Sequence, residues 1–270
     1  MATPEFTLAE FDAALDAVGI EEGDVVIVHS SILHLGLLSD CNPRQMSDRL
    51  IDTFVDRLGA SGTLTGLAPC YDYSNNAAPF DTRTSSVAKE IGVFNAALAA
   101  RVDAERSANP VFSLAGIGAA VSEICVGSNA SAFGAGSAWD HAVQLGAKVV
   151  MLGASFQRFT LVRYIEQLAG VPYLFVKLFR TPISRNGVEL DMPVTALLRY
   201  AHMPLEYDLS RFETRLSDLG LVRTTELGGG AVSAIPAKKA VDAGIEALNE
   251  DLHYFLRVPP KYPDGELPVK

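Results

Sequence analysis

The stretch Gly23-Asp24-Val25-Val26-Ile27-Val28-His29-Ser30-Ser31 decides how the chain is read. Its β-branched run has no polar alternation, the pattern of a strand covered on both faces. Gly23-Asp24 turns the chain into the run, and Ser30-Ser31 breaks it. Residues 148–153, Lys-Val-Val-Met-Leu-Gly, repeat the pattern, and residues 62–69 read as another strand. Helical spacing fills the gaps. Residues 7–15 open with Thr7 and Glu10 placed as a capping box, put Leu8, Phe11, Leu15 and Val18 on one face, and stop at Gly19. Residues 43–59 carry Met46, Leu50, Phe54 and Leu58 at helical spacing, and residues 87–102 carry Ile91, Phe94, Leu98 and Val102. Residues 160–169 read as a further helix. Residues 173–181 and 183–194 read as strands around Asn186-Gly187, a hairpin signal. From Thr195 the chain is expected to return to helices, notably 208–219 and 237–256, with Gly228-Gly229-Gly230 between them. The alternation predicts a three-layer α/β/α fold on a mixed, mostly parallel sheet with an added antiparallel hairpin. Residues 1–258 are expected to form one domain, and residues 259–270 a Pro-rich tail.

Composition narrows the function classes. The chain has 270 residues, 49% hydrophobic and 20% charged, enough for a sizeable core in one large domain or two small ones. A formal charge of -10 and a pI near 5.0 argue against nucleic acid as a general partner, because phosphate neutralisation needs clustered Lys and Arg. Cys41, Cys70 and Cys125 are widely spaced and form no Cys-x-x-Cys pair, which suits free thiols in a reducing compartment. The N-terminus lacks the pattern of a signal peptide, and no run approaches the ~18 apolar residues of a membrane span. A cytoplasmic protein is expected, working away from nucleic acid and membrane. No metal-ligand cluster, Walker-type loop or Gly-x-Gly-x-x-Gly pattern is present.

Four stretches carry candidate chemistry. In Arg106-Ser-Ala-Asn109-Pro110-Val-Phe-Ser113-Leu-Ala-Gly-Ile-Gly118, Asn109-Pro110 initiates a turn. Residues 111–117 read as a short buried strand leaving that turn, so Asn109 is expected at the mouth of a sheet, where α/β proteins bind ligands. Ser30 and Ser31 either cap the turn that follows them or present hydroxyls and backbone N–H groups to an anion or carbonyl. The long irregular segment 70–86 carries Tyr71, Asp72, Tyr73 and Asp81. A lone loop aspartate is usually a turn former, but two with tyrosines suggest a ligand wall. Arg163 and Glu166 stand at i and i+3 on one helical face, where the simplest outcome is an ion pair. Of the histidines, His202 and His253 read as bland and His29 as structural. His34 is the titratable candidate.

These stretches together resemble the aminoglycoside 3-N-acetyltransferase family. Val28-His-Ser-Ser-Ile32 through Gly36 is similar to the family's Val-His-Ser-Ser-Leu-x-x-Leu-Gly, and residues 69–85 to its Pro-Thr-Phe-x-Tyr-Ser and Pro-Phe-Asp motifs. Residues 106–118 resemble its Arg-Ser-x-His-Pro-x-x-Ser-x-Ala run, with Asn109 at the position of a catalytic histidine. Residues 160–173 match Thr-x-x-His-x-x-Glu and Val-Pro-Tyr, with Arg163 in place of the histidine and Glu166 retained. Phe133-Gly134 through Asp140 is similar to Phe-Gly-x-x-Ser-Pro-Phe-Asp. The resemblance implies an α/β/α fold distinct from the GNAT type, and coenzyme A or acetyl-coenzyme A as acyl donor without a metal. It implies Ser30, Ser31, Ile32, Leu33, Ser113, Phe133 and Gly134 around the coenzyme, and Tyr71, Asp72, Asp81, Arg163 and Glu166 around the acceptor.

The expected activity is direct N-acetyl transfer in a ternary complex, with Asn109, Asp81 and Glu166 as the catalytic set. The acceptor is a small-molecule amine: an amino sugar, a nucleotide-linked amino sugar or a natural-product intermediate. An arginine at 163 suggests an acceptor with an anionic part. Two alternatives stay open: a non-catalytic relative that binds coenzyme A or a sugar, and condensation or hydrolysis of an acyl thioester through Cys70 or His34. A homodimer is the assembly kept open beside a monomer.

Overall fold

The computed structural model describes residues 3–39 and 41–262. The first half of the chain runs β1 (Glu5–Phe6), α1 (Leu8–Ala17), β2 (Val25–Ser30), β3 (Leu37–Leu38), α2 (Met46–Leu58) and β4 (Thr63–Leu67). Next come α3 (Tyr71–Asn76), β5 (Phe80–Asp81), α4 (Val93–Ala100), β6 (Glu105–Arg106) and β7 (Leu114–Gly118). The second half has α5 (Ala138–Gln144), β8 (Lys148–Leu152), α6 (Leu161–Ala169), β9 (Leu174–Phe179), β10 (Ile183–Arg185), β11 (Val188–Glu189) and β12 (Val194–Arg199). It closes with α7 (Ser210–Asp218), β13 (Arg223–Leu227), β14 (Gly230–Pro236) and α8 (Ala237–Glu250).

The seven-stranded main sheet has the order β13-β14-β8-β2-β4-β7-β6. Its centre explains the apolar run at residue 25. Val26 and Val28 of β2, with Val150 and Leu152 of β8, point into a core with Phe11, Leu15, Phe54 and Phe94 of α1, α2 and α4. Ile27, Val149 and Met151 face the opposite core, built with Trp139, Ile165 and Leu248 of α5, α6 and α8. Strands that bury both faces cannot alternate polar residues, and this is what the sequence displays. The fold is therefore three-layer α/β/α. The capping box forms as read: the Thr7 backbone N–H donates to Glu10 Oε2 at 2.7 Å, and the Glu10 N–H donates to Thr7 Oγ1 at 3.2 Å.

The sheet is mixed, but its parallel core is small. Only β8-β2 and β2-β4 pair in parallel, whereas β13-β14, β14-β8, β4-β7 and β7-β6 are antiparallel. The expectation of a mostly parallel sheet is corrected on that point. The Asn186-Gly187 hairpin forms with both residues at positive φ, 51° and 77°, yet it does not join the main sheet. It pairs β10 with β11 and sets β10 against β5 in a separate three-stranded sheet. The chain also does not return to helix at Thr195. Residues 194–199 are β12, paired antiparallel with β9. The antiparallel hairpin on the main sheet is instead β13-β14, turning through residues 228–229. The strand after Asn109 starts at Leu114, and residues 107–113 form the turn. Of the expected tail, residues 259–262 are described, with Tyr262 bonded through its hydroxyl to His253 Nε2 at 3.0 Å, and the rest lies outside the described residues.

No helix among the described residues is long and apolar enough to cross a membrane.

The turn of the β13-β14 hairpin supports the loop that leaves β2. Gly229 N–H donates to the Leu35 carbonyl at 2.8 Å. Gly228 has φ +57°, and a Cβ there would sit 2.1 Å from the Leu35 carbonyl oxygen. Both the left-handed backbone and the close approach demand glycine. Gly228→Ala is expected to lower unfolding free energy by about 1–3 kcal/mol, read as a lower urea midpoint with an unchanged slope. An unchanged midpoint would mean that the loop is not held from beneath.

Candidate active site

Because β8, β2 and β4 run parallel, all three end at the same edge of the sheet. A cleft of about 390 Å³ opens there. His29 and Ser30 come from the end of β2, Leu67 and Pro69 from the end of β4, and Gln157, Arg158 and Thr160 from the segment after β8. Tyr71, Glu90, Ile91 and Asn95 close one side, and Val111, Phe112 and Arg199 another. The crevice beyond the carboxyl ends of parallel strands is the usual ligand site of such sheets.

His29 is 4% exposed, and its ring centroid lies 6.3 Å from those of Trp139 and Phe159. Its Nε2 accepts the Thr160 backbone N–H at 3.1 Å. An accepting Nε2 puts the proton of the neutral ring on Nδ1, which is buried without a partner among the described residues. Burial depresses the imidazole pKa to about 3, so the ring stays neutral. Ser30 Oγ donates to Asn95 Oδ1 at 3.2 Å. The loop after it forms a 3₁₀ turn over Ile32–His34, with Ile32 buried and Leu33 75% exposed. Ser31 Oγ and His34 Nδ1 lie 2.8 Å apart, and the ring nitrogen is 3.3 Å from the Gly153 carbonyl. Gly153 at φ +64° lets this loop approach, since a Cβ there would lie 2.7 Å from the Ser31 carbonyl.

The three residues expected to carry catalysis are engaged internally. Asn109 is 2% exposed. Its Nδ2 donates to the Ala130 and Thr195 carbonyls at 2.7 and 2.8 Å, and its Oδ1 accepts the Val111 and Phe112 N–H groups at 3.0 and 2.9 Å. The amide is saturated, so it staples a turn to β12 and has nothing left to offer a substrate. Asp81 is occupied in the same way. Its Oδ1 accepts the Arg83 and Thr84 N–H groups at 2.8 and 3.0 Å, while Oδ2 accepts Ser184 Oγ and the Gly187 N–H at 2.7 and 2.8 Å. Burial opposes ionisation here, but these hydrogen bonds prevail and hold the carboxyl far below its usual range, a poor proton acceptor.

Glu166 is fully buried. Its Oε2 takes Arg163 Nη1 at 3.0 Å, and its Oε1 accepts the Tyr173 and Tyr207 hydroxyls at 2.8 and 2.7 Å. Burial raises the Glu166 carboxyl, with Arg163 opposing, and keeps both phenols above their ordinary values and protonated. Arg163 also donates to the Tyr207 hydroxyl and lies over that ring, its Cζ 4.0 Å from the centroid. The pair expected from the i, i+3 spacing is present, and it is not part of the cleft lining.

Of the other expected residues, Tyr71 and Ser30 line the cleft. Ser31, Ile32 and Leu33 form the adjoining loop. Asp72 is exposed and bonds Asn76 Nδ2 at 3.2 Å, away from the lining. Ser113 is buried, donating to the Asn109 carbonyl at 2.5 Å. Phe133 is a core residue against Phe112 and Trp139, and the Gly134 N–H binds Ser131 Oγ at 3.0 Å. Cys70 is 4% exposed, and neither it nor His34 lines the cleft. Sequence reasoning did not single out Glu90, Gln157, Arg158 or Arg199, which come from separate segments with no motif to join them. Among the described residues no group of three or more His, Cys, Asp or Glu could hold a metal.

Two measurements check this assignment. His29 is neutral in both states above pH ~6.5, and between there and ~3 the unfolded chain binds a proton that the folded chain refuses. Stability is therefore lost as pH falls, with a slope approaching about 1.4 kcal/mol per pH unit. His29→Asn should flatten that slope between about pH 6.5 and 5, and an unaltered slope would contradict the buried neutral ring. Asn109→Ala leaves the buried Val111 N–H and the part-buried Phe112 N–H unpaired and should cost about 1–4 kcal/mol of stability by denaturant titration. Full stability combined with lost activity would instead restore a catalytic amide.

Residues 27–249 match the sequence profile of the aminoglycoside 3-N-acetyltransferase family. The aminoglycoside N(3)-acetyltransferase III of Serratia marcescens is 28% identical over 182 residues, 62% of this chain and 66% of that protein, so the matched segment spans just under two-thirds of the relative. The aminoglycoside N(3)-acetyltransferase VII of Streptomyces paromomycinus is 28% identical over 274 residues, covering 88% of this chain and 90% of its own. Among solved structures, AAC-IIIb in binary complex with CoASH superposes with a TM-score of 0.76 at 23% identity, covering 95% of this chain and all of that one. The profile covers the loop after β2, the turn before β7 and the Arg163–Glu166 helix, and the chain belongs to the aminoglycoside 3-N-acetyltransferase family.

Proposed function

We propose that the chain is a coenzyme-A-dependent N-acetyltransferase that acts on the amino group of a small polar acceptor held in the cleft at the ends of β8, β2 and β4. One observation carries the reading. The cleft is assembled from the loop after β2, the segment after β8 and the turn before β7, all within the family segment 27–249. The residues suit the ligand: Leu67, Ile91, Val111 and Phe112 give an apolar wall for an acyl group and a thin arm. The loop 30–34, with its hydroxyls and the exposed Leu33, is the natural seat of the donor.

The acetyl thioester supplies an acyl group whose transfer makes one C–N bond, breaks one C–S bond and releases a free thiol. The protein's part is placement and proton handling. An attacking amine must be neutral and must lose one proton. Asn109, Asp81 and Glu166 are spent in the structure, which leaves Glu90 as the carboxylate lining the cleft. Tyr71 senses it: burial first and Glu90 second raise this phenol, while Arg158 opposes. Glu90 orients the amine and takes its proton, and the departing thiolate gains one in exchange through solvent.

The acceptor belongs to the amino-sugar class, with aminoglycosides as its best-known members through the family name. The saturation of Asn109, Asp81 and Glu166 favours one competing reading, a relative that binds without turnover. Thiol release from acetyl-coenzyme A separates the two. Release that requires an amine and scales with it is expected, whereas release without amine means hydrolysis and no release means binding only. Glu90→Gln should cut kcat/KM for the amine by about 10²-fold with little effect on folding. Unchanged turnover would assign the proton to water.

A further inference from the structure

The charge of the cleft does not suit a polycation. The chain as a whole is acidic, yet the cleft carries two arginines, Arg158 and Arg199, against one carboxylate, Glu90. Both arginines have exposed side chains, and among the described residues neither forms an ion pair, although Arg163 and Glu166 act on Arg199 through space with opposite sign. The acids that might have balanced them are used elsewhere: Asp81 by the hairpin turn, Glu166 by Arg163 and two tyrosines. Arg199 is held in place by the ring of Tyr207, its Cζ 4.7 Å from the centroid, and Tyr207 is in turn fixed by Glu166. A guanidinium pre-set on an aromatic face, sharing a cleft with a second guanidinium, is an unfinished anion receptor.

We propose that Arg158 and Arg199 bind an anionic substituent, phosphate or carboxylate, on the amine acceptor, so that the enzyme selects zwitterionic amino sugars over polycationic ones. The inference rests on the transferase reading above and narrows its substrate class. The loop 30–34, clamped by Gly153 and by the β13-β14 turn, forms the donor's side, whereas Arg199 projects from β12 in the separate β9-β12 sheet. Arg199 therefore stands on the acceptor's side, and Arg158 reaches the same cleft from the segment after β8. Glu90 then faces the ammonium end of the same molecule, and the like-charge clash with extra amines supplies the discrimination.

The test uses the full chain with two probes that differ only in the anion, D-glucosamine and D-glucosamine 6-phosphate. Calorimetric titration reads binding without turnover. The phosphorylated sugar is expected to bind about tenfold or more tightly, the effect of charge-assisted hydrogen bonds. The Arg158→Gln/Arg199→Gln double variant should bind the two sugars about equally. Arg199→Lys, which keeps the charge without the fork, should retain part of the preference, and circular dichroism should remain that of the parent. Equal binding of the two sugars to the parent would overturn the proposal, as would a preference that survives in the double variant. Titration with coenzyme A distinguishes the other source of phosphate. If the double variant weakens coenzyme A and leaves the sugar phosphate unchanged, the arginines serve the donor and the proposal falls. Preferential, arginine-dependent binding without acetyl transfer would uphold this inference and sink the transferase reading alone.

Discussion

The site depends on a single constraint of topology: β8, β2 and β4 are parallel neighbours, so their chains leave the sheet at one edge. Each exit needs a connection, and three connections leaving one edge cannot all pack flat. The gap between them is the cleft. The flanking antiparallel pairs, β13-β14 on one side and β6-β7 on the other, turn at that same edge, where residues 228–229 support the loop after β2 and residues 107–113 reach the cleft. The parallel trio is buried on both faces, which fixes the position of His29 and Ser30 to within the tolerance of a packed core.

Around this edge the protein uses saturated polar groups as fasteners. Asn109 joins the turn before β7 to β12 through four backbone groups. Asp81 joins the loop after β5 to the β10-β11 hairpin, and Glu166 ties α6 to Tyr173 and Tyr207. A buried polar group with every hydrogen bond made holds geometry well, and for the same reason it is chemically quiet. The groups free to meet a ligand are those left over at the rim: Ser30, Tyr71, Glu90, Arg158 and Arg199. Two arginines against one carboxylate give the rim a sign opposite to that of the molecule as a whole, and the proposed preference for amines that also bear an anion rests on that contrast.

Much of this was legible in the sequence, for identifiable reasons. The apolar run at Val25–Val28 could only be a strand buried on both faces, and Thr7 with Glu10 could only close a helix start. Asn186-Gly187 announced its turn through the left-handed backbone it requires. The β13-β14 hairpin was missed because Arg223-Thr-Thr-Glu is an edge strand with little apolar signal, and its three glycines read as a spacer rather than as a close approach to Leu35. Strand β12 was missed because its alternation is blurred by Leu197 and Leu198. At the site, the motif frame singled out the turn at Asn109, whose amide is bonded internally. Asn109 lies where chemistry was expected, but whether an amide faces substrate or backbone is decided by the β12 carbonyl, which is distant in sequence. Arg199 and Glu90 carry no local pattern, since their meaning comes only from sharing a cleft.

Hydrogen–deuterium exchange with and without coenzyme A tests the location of the site most directly. Protection concentrated in residues 29–35 and 153–160, at the common exit of β2 and β8, is the result that this account requires. Protection confined to the opposite end of the sheet, around Lys148, Arg223 and Lys239, where a second cavity opens, would contradict it.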